Sequence, residues 1–397
     1  MPFMPSAFAR LLEPLDRRVM ARLVAEHRGD RGVGKGKHAW TCERHLKTLL
    51  LAQWAGLKSL REIVAGLEGH GACFYHLNLR APCRSTLSDA NARRPAGVFG
   101  AIAAALVPVA AGALRGESEA LIRLLDSTPI PLKGERFLWA EASARTRGLK
   151  LHLLYDPRPA RPAWFAVSSA KMDDVVAARA VPLEAGATYV FDRGYTDYRW
   201  WAEIIAAQAF FVEGAAILAD RTIRIGHRRP RGGAPPNPLY EVLLREVVVE
   251  REGGREPLCL LTNDLERPAA EIARLYKERW HIELLFKWLK QNLKIRTFWG
   301  RSENAVRLQI YAALIAFMLL RILHRTAARA FTASTALLLT RLKLSLFRPL
   351  QLRPTGQAAA QAATPATAAS PIPPRLPMTP RLRQNPGQQW AFAGTTE

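Results

Sequence analysis

Cysteine and long apolar runs are scarce in this chain, and each shortage excludes a class of protein. Four cysteines among 397 residues are too few for a disulfide framework. The most apolar run, Ile310–Leu320, ends at Arg321 and is too short to cross a bilayer, so it predicts a core helix. The N-terminus has no signal-peptide pattern, and we therefore expect a protein of the reducing cytoplasm.

Acidic residues are also few, and nothing offsets the basic ones. The chain has 57 Lys and Arg against 34 Asp and Glu, a formal net charge of +23 and a pI near 10.6. Such an excess points to a polyanionic partner, most often nucleic acid. A basic protein of the membrane surface is the second interpretation, but no strongly amphipathic basic helix stands apart, and we expect no membrane partner.

The first 115 residues have helical periodicity, interrupted by a Gly-rich basic linker over 28–38. A turn near Glu68–Gly71 and a helix start at Ser85 allow a helix-turn-helix-like unit. Its DNA-facing side chains would be Arg84, Asn91, Arg93 and Arg94. An ordinary helical bundle with a basic surface fits the same pattern at least as well.

Two Cys-x-x-His pairs in this region have a spacing used by zinc ligands. They are Cys42 with His45 and Cys73 with His76. Both pairs lie on or beside expected helices, where a buried cysteine is common. We therefore favour a structural role for them over a metal site.

From Ala120 onward, short apolar runs separated by turns predict strands. Two of them, Ala120–Leu125 and Thr188–Phe191, are each followed by an aspartate, Asp126 and Asp192. An aspartate after a strand is often only a turn former or a helix cap. Two neighbouring strands with this arrangement would, however, place both carboxylates at one edge of one sheet. The other elements expected here are strands at Phe137–Ala142, Leu149–Leu154 and Trp164–Val167 and a helix at Asp173–Ala180.

The second half of the chain alternates between β-type and helical patterns. Residues 209–262 contain further strand-like runs around a basic loop, 224–233, and predict a β-rich insertion. Residues 304–328 predict a long apolar helix. The Ala-, Pro- and Gln-rich sequence over 351–397 has no periodicity and predicts a disordered tail.

A helix predicted over Tyr276–Lys290 carries a narrow ionic stripe on a largely apolar surface. Tyr276, Arg279, Glu283 and Lys290 fall on one side at about 100° per residue. Apolar side chains cover much of the rest, so the helix is expected to be buried. Its stripe then faces a metal, a phosphate or a polar cleft. A solvated face with helical ion pairs is the alternative.

Three carboxylates in a basic chain suit two-metal phosphodiester chemistry. Mg²⁺ prefers oxygen ligands and keeps several waters, so Asp126, Asp192 and Glu283 would suffice to hold a pair of ions. In such sites one ion activates a water or a 3′-hydroxyl, and the other stabilises the leaving oxygen.

These motifs resemble those of the DDE transposases of bacterial insertion sequences, in the insertion-sequence-four family. The family signature Tyr-x2-Arg-x3-Glu-x6-Lys is matched by Tyr276, Arg279, Glu283 and Lys290. Asp126 in Leu-Leu-Asp-Ser-Thr and Asp192 in Phe-Asp-Arg-Gly-Tyr match the first two acidic motifs. The sequence around 85–93 also resembles an N-terminal domain of many members.

The resemblance implies a mixed α and β fold with three parts. A helical N-terminal DNA-binding domain would span 1–117. An RNase H-like catalytic domain would span 118–350, interrupted by the β-rich insertion at about 209–262, and the tail would follow. The partners implied are double-stranded DNA, at terminal inverted repeats and target sites, and a second copy of the chain in a homodimer on DNA.

The resemblance also implies the chemistry of the site. Asp126, Asp192 and Glu283 would be the catalytic residues and the ligands of two Mg²⁺ ions, with Mn²⁺ as a substitute. Tyr276, Arg279 and Lys290 would contact DNA phosphates near the scissile bond, which suits their side chains. The enzyme would cleave and transfer DNA strands in the bacterial cytoplasm, associated with the nucleoid.

Two other functions compete with this interpretation. A domesticated, non-catalytic DNA-binding relative would lack at least one of the three acids, whereas all three are present here. An RNase H-like nuclease without strand transfer has the same residues, and the sequence alone does not separate it from a transposase.

Overall fold

The computed structural model describes residues 5–348, apart from gaps at 35, 37, 115–120, 141–146, 216–219, 226–236, 252–254 and 328–333. These residues belong to the first of two units, Met1–Thr355. The expected tail over 351–397, the boundary expected between 117 and 118 and most of the basic loop 224–233 lie outside the described residues.

Helices form the first part of the chain, as the periodicity predicts. Their starts follow from side-chain caps: Ser6, Asp16, Thr41 and Ser59 each accept a hydrogen bond from a backbone N–H of the first turn. The helices are α1 Ala7–Leu12, α2 Arg17–Glu26, α3 Cys42–Ala55, α4 Leu60–Gly69, α5 Arg84–Arg93 and α6 Ala96–Ala113.

The strands among the described residues then form an eight-stranded sheet, in the spatial order β3-β2-β1-β4-β5-β8-β7-β6. β4 is parallel to β1 and β5, and the other pairings are antiparallel. The strands of segment 209–262 therefore extend the main sheet. The strand bounds are β1 Ile122–Pro131, β2 Gly148–Asp156, β3 Arg161–Ser169, β4 Thr188–Phe191, β5 Phe210–Ala215, β6 Asp220–Ile223, β7 Leu244–Arg251 and β8 Arg255–Thr262.

One expected strand, Phe137–Ala142, is wrong over the residues that the structure describes. Glu135–Phe137 form a 3₁₀ turn, and residues 141 and 142 lie outside the described part. Phe137 and Ala140 are nevertheless buried in the core. A short apolar run reports burial and does not by itself distinguish a strand from a buried turn.

Helices cover both faces of the sheet. Their bounds are α7 Asp174–Ala178, α8 Tyr198–Ala206, α9 Ala269–Glu278, α10 Trp280–Asn292, α11 Glu303–Ala327 and α12 Thr335–Ser345. Side chains of α9, α10 and α11 form one core with β1, β2, β4 and β5. Trp200 and Trp201 of α8 are fully buried on the opposite face, against Phe191 and Phe211.

The helix α11 belongs to two cores at once. Ile310 and Leu314 pack towards the sheet, while Ala312 and Leu319 pack with the N-terminal helices. By length and composition both α6 and α11 would be long enough to cross a membrane, so the expectation that the run Ile310–Leu320 is too short does not hold for the helix that contains it. The apolar stretch of α11 is 83% buried inside the protein, which is the property of a core helix.

The helix predicted over Tyr276–Lys290 is divided at one residue. α9 ends at Glu278 and α10 begins at Trp280, with Arg279 between them. The backbone N–H of Arg279 donates to the carbonyl of Tyr276, and Ile282 donates to the carbonyl of Arg279, which is the tighter 3₁₀ spacing. No Gly or Pro marks this junction, so the sequence pattern did not indicate it.

Candidate active site

Asp126 and Asp192 lie on neighbouring parallel strands. Leu124 of β1 pairs with Val190 of β4, and each aspartate is two residues further along its own strand direction. Asp192 follows the end of β4, as expected, but Asp126 lies within β1, which continues to Pro131. The expectation of a strand end at Asp126 is therefore wrong, because β2 pairs with β1 well beyond this residue.

Backbone N–H groups orient both carboxylates. Oδ1 of Asp126 accepts from the N–H of Ser127 at 2.7 Å, and Oδ1 of Asp192 accepts from the N–H of Gly194 at 2.9 Å. A Cβ atom at position 194 would lie 3.0 Å from Oδ1 of Asp192. Glycine at this position therefore leaves the carboxylate room in the turn.

The surroundings of Asp126 favour its protonated form. The pKa of this carboxyl is raised to about 7, and burial is the largest cause. The charges of Asp192 and Glu283 also raise it, while the hydrogen bond from Ser127 and the charge of Arg279 lower it. Two negative charges from other parts of the chain thus act on Asp126, in addition to its burial.

Arg279 links Glu283, the third acid, to Asp126. Its Nη2 lies 2.6 Å from Oε1 of Glu283, and its Nη1 lies 3.9 Å from Oδ2 of Asp126. Its guanidinium carbon lies 5.7 Å from the ring centroid of Tyr276. The break between α9 and α10 places Arg279 where it reaches all three side chains.

Lys290 lies two turns after Glu283 on α10, and its side chain also points towards β1. Its Nζ donates to Oγ1 of Thr128 at 2.5 Å. Partial burial and the charge of Arg296 lower the pKa of Lys290, and the charge of Asp126 opposes this shift. An ammonium group has three donors, so one bond to Thr128 leaves two for another acceptor.

The three acids have the chemistry of a divalent metal site, but their carboxylates do not converge on one point. Asp126, Asp192 and Glu283 offer the oxygen ligands that Mg²⁺ prefers. Among the residues that the structure describes, no three His, Cys, Asp or Glu side chains lie close enough to hold one ion. The guanidinium of Arg279 contacts two of the three acids instead. With all acids ionised, the four groups carry a formal charge of −2, which a divalent cation would balance.

Two of the side chains that a helix-turn-helix unit would direct at DNA have structural roles instead. Asn91 is 3% exposed, and its Oδ1 lies 2.8 Å from Nε2 of His45. Arg94 is 6% exposed and donates to the backbone carbonyls of Trp40 and Thr41. Arg84 and Arg93 are exposed.

Thr128 is the site residue that the sequence analysis missed. A signal was available, because positions 126 and 128 of a strand point to the same face. The motif around Asp126 drew attention only to the aspartate itself.

Two curated relatives share extended sequence with this chain. A putative transposase of Sinorhizobium fredii is 42% identical over 267 residues, which are 62% of this chain and 72% of the relative. A probable transposase for an insertion sequence element of Geobacillus stearothermophilus is 26% identical over 223 residues, which are 51% of this chain and 56% of that relative.

A solved structure and two family models complete the comparisons. The piggyBac transposase in a synaptic complex with hairpin DNA has a TM-score of 0.48 and 10% identity, and covers 91% of this chain and 83% of that one. A domain of unknown function matches residues 4–80, and the transposase DDE domain matches residues 117–319. The chain therefore belongs to the DDE transposases of insertion sequences, enzymes that cleave DNA and transfer its strands, and it is consistent with the insertion-sequence-four family.

Proposed function

We propose that Asp126, Asp192 and Glu283 are the catalytic carboxylates with which this transposase cuts the terminal inverted repeats of its element. One observation carries the assignment. Asp126 and Asp192 follow paired positions of two parallel strands, and burial together with the charges of Asp192 and Glu283 raises the pKa of Asp126 to about 7. Such a concentration of negative charge in a basic protein requires a cation when all three acids are ionised.

The cation is proposed to be Mg²⁺, as two ions, with Mn²⁺ as a substitute. Asp126, Asp192 and Glu283 would hold it, and when bound it would supply an activated hydroxyl or water and a stabilised leaving oxygen. Ser127 and Gly194 hold Asp126 and Asp192 through backbone hydrogen bonds. These bonds hold the carboxylates in place on the sheet, so that little reorganisation is needed on binding.

Tyr276, Arg279 and Lys290 are proposed to contact DNA phosphates beside the acids. Arg279 and Lys290 both reach towards β1, within contact of Asp126 or Thr128. A phosphate that approaches Asp126 therefore meets a guanidinium and an ammonium group. Charge-assisted bonds of this kind position the backbone without reading its sequence.

The proposed architecture is an RNase H-like core with additions. An antiparallel β1–β3 meander followed by the parallel strands β4 and β5, with helices on both faces, supports this assignment. In this view 118–350 is the catalytic domain, about 209–262 is the β-rich insertion that extends its sheet, and 1–117 binds DNA. We place the protein as a homodimer on double-stranded DNA in the bacterial cytoplasm, without a membrane partner.

The test is cleavage of DNA from the ends of the element in Mg²⁺ by Asp126→Asn and Asp192→Asn. Both variants are expected to lose cleavage. Asp126→Asn is expected to keep its melting temperature or raise it, because an ionised carboxylate in this buried position destabilises the fold. Asp173→Asn is the control, since this exposed aspartate makes no side-chain cap to α7. Near-normal nicking by either variant would remove that residue from the site.

A further inference from the structure

A basic cleft lies in the N-terminal helical region. The end of α2 and the segment after it form one wall, and α5 forms the other. The cavity measures about 770 Å³, and its lining includes Arg28, Arg31, Trp40, Asp89 and Arg93. We call this cavity the α2–α5 cleft.

Three exposed arginines give the α2–α5 cleft its charge. The guanidinium groups of Arg28, Arg31 and Arg93 make no hydrogen bond or ion pair with any described residue, and all three side chains are exposed. Unpaired guanidinium groups on two facing walls form a fork for an anion with several oxygens. Asp89 is the acidic side chain in the lining, so the excess of positive charge remains.

The walls of the cleft are fixed by buried bonds. Arg94, at its base, donates to the carbonyl of Trp40 at 2.6 Å and to that of Thr41 at 2.9 Å. Oδ1 of Asp30 accepts from the N–H of Cys42 at 2.5 Å, which ties the segment after α2 to α3. The exposed arginines therefore project from a backbone that is already ordered, and less conformational entropy is lost when they bind.

Trp40 lines the same cleft. Its indole Nε1 is buried and has no hydrogen-bond partner among the described residues, so this donor is closed to a phosphate that lies in the cleft.

We propose that the α2–α5 cleft binds the phosphate backbone of duplex DNA at a place separate from the acidic site. The proposal rests on the proposed function, because it assumes that the chain acts on DNA. Arg28, Arg31 and Arg93 would bind phosphate oxygens. Backbone contacts fix the register of a duplex without reading its bases. The cleft would thus hold the DNA end while another part of the protein cuts it.

The test measures equilibrium binding by the full-length protein in EDTA, so that no cleavage occurs. Two labelled duplexes of equal length are used, one from an end of the element and one of unrelated sequence. Arg28→Ala, Arg31→Ala and Arg93→Ala are each expected to weaken binding about tenfold. The factor should be the same for both duplexes, and the plot of log K against log salt should become less steep by about 0.9 per arginine.

Two further variants keep the outcome decisive if an arginine variant folds poorly. Asp89→Asn removes a negative charge from the cleft and is expected to strengthen binding several-fold, which misfolding would not cause. Arg61→Ala removes an exposed arginine of α4 that makes no bond or ion pair with a described residue, and should leave the affinity within twofold. Wild-type affinity and salt slope in a folded triple arginine variant would overturn the proposal.

Failure of this inference is distinguishable from failure of the proposed function. If the triple variant binds normally while Asp126→Asn loses cleavage, only the α2–α5 cleft is rejected. If Asp126→Asn and Asp192→Asn cut normally while the cleft variants bind weakly, the assignment of the acids is rejected and the cleft stands.

Discussion

Arg279 is the side chain that balances charge at the acidic site. Its guanidinium contacts Glu283 at 2.6 Å and Asp126 at 3.9 Å, and so stands where a metal ion would otherwise neutralise these acids. A cation that enters the site therefore competes with a positive charge already present. The same group would be free to bind a phosphate once it leaves the acids.

Arg279→Gln is accordingly expected to bind Mn²⁺ more tightly than the wild type. Removal of one positive charge at this distance favours a divalent ion by at least about 1 kcal/mol, or about fivefold in affinity. Titration of the DNA-free protein with Mn²⁺, followed by electron paramagnetic resonance, measures this directly. Arg274→Gln is the control, because Arg274 is exposed on α9 and pairs with Glu271. An unchanged or weaker affinity would contradict this role of Arg279.

Glu283 and Lys290 share one side of α10 and are expected to respond differently. Glu283→Gln should abolish cleavage and hold or raise DNA affinity, since it removes negative charge beside the DNA. Lys290→Ala removes a charge-assisted phosphate contact, at a cost of about 1.5–3 kcal/mol, and should keep some cleavage at saturating protein. Gel-shift affinity and single-turnover nicking on one end fragment give both quantities.

The control for these two variants is Lys287→Ala, because Lys287 is exposed on the same helix. It should lower affinity less than Lys290→Ala. The Arg279–Glu283 contact is an ion pair within the helix. If Glu283→Gln loses affinity as badly as Lys290→Ala, this pair is structural, and the assignment of Glu283 to metal fails.

The sequence was sufficient to name the acids but not their contacts. The sequence motifs predicted Asp126, Asp192 and Glu283. The strands that carry the first two acids, β1 and β4, pair in parallel, and this brings them together as expected. The assignment of these residues to catalysis stays a prediction. The bridge through Arg279 was not predictable, because it depends on a break between α9 and α10 that no residue type marks.

At the scale of elements, the loop between α10 and α11 is held by two buried glutamines. Gln309 of α11 is 1% exposed, and its amide donates to the carbonyls of Lys294 and Thr297 and accepts from the N–H of Trp299. Gln53 of α3 accepts from the N–H of Lys294. This loop follows directly after the helix that carries Glu283 and Lys290.

Gln309→Ala is expected to lower the free energy of unfolding by about 3 kcal/mol. The change leaves one buried N–H and two carbonyls without their partner, and each costs about 1–3 kcal/mol unless water enters. Urea denaturation followed by tryptophan fluorescence measures the loss. Gln291→Ala, at an exposed position of α10, should change stability by less than about 0.5 kcal/mol. Equal effects of the two variants would show that these hydrogen bonds do not hold the loop.

Helices and strands were predictable where one hydrophobic periodicity dominates the segment. Periodicity predicted that the first 115 residues are helical, which α1 to α6 confirm, and the strands at 188–191 and 149–154 match β4 and most of β2. Long-range relations were not accessible, above all the burial of α11 between two cores and the extension of one sheet by β6, β7 and β8. Those relations depend on tertiary packing, which local periodicity does not encode.

At the scale of the whole molecule, the net charge of +23 is the property that DNA binding would use. Arg279 and Lys290 at the acidic site and the three exposed arginines of the α2–α5 cleft are separate groups of cations in one compact unit. Binding of DNA phosphates by both groups would release condensed counterions, and the free energy of binding would therefore depend on salt.

The affinity for an end fragment is expected to fall about five-hundredfold between 50 and 200 mM salt. The five contacts from these two groups would give a slope of log K against log salt of about −4.5. Lys290→Ala should reduce the steepness by about one, and the triple cleft variant by about three. The slopes are measured by fluorescence anisotropy with one salt series for all proteins.

The steepness of the salt dependence also tells whether the two groups bind the same DNA molecule. If they do, Lys290→Ala and the triple cleft variant should each make the dependence less steep, and these two changes should add in the combined variant. The reason is that each phosphate that loses its contact keeps its own counterions. If the combined variant is no less steep than the triple variant alone, Lys290 makes no phosphate contact. A wild-type affinity that is flat across this salt range would contradict the electrostatic role of the net charge.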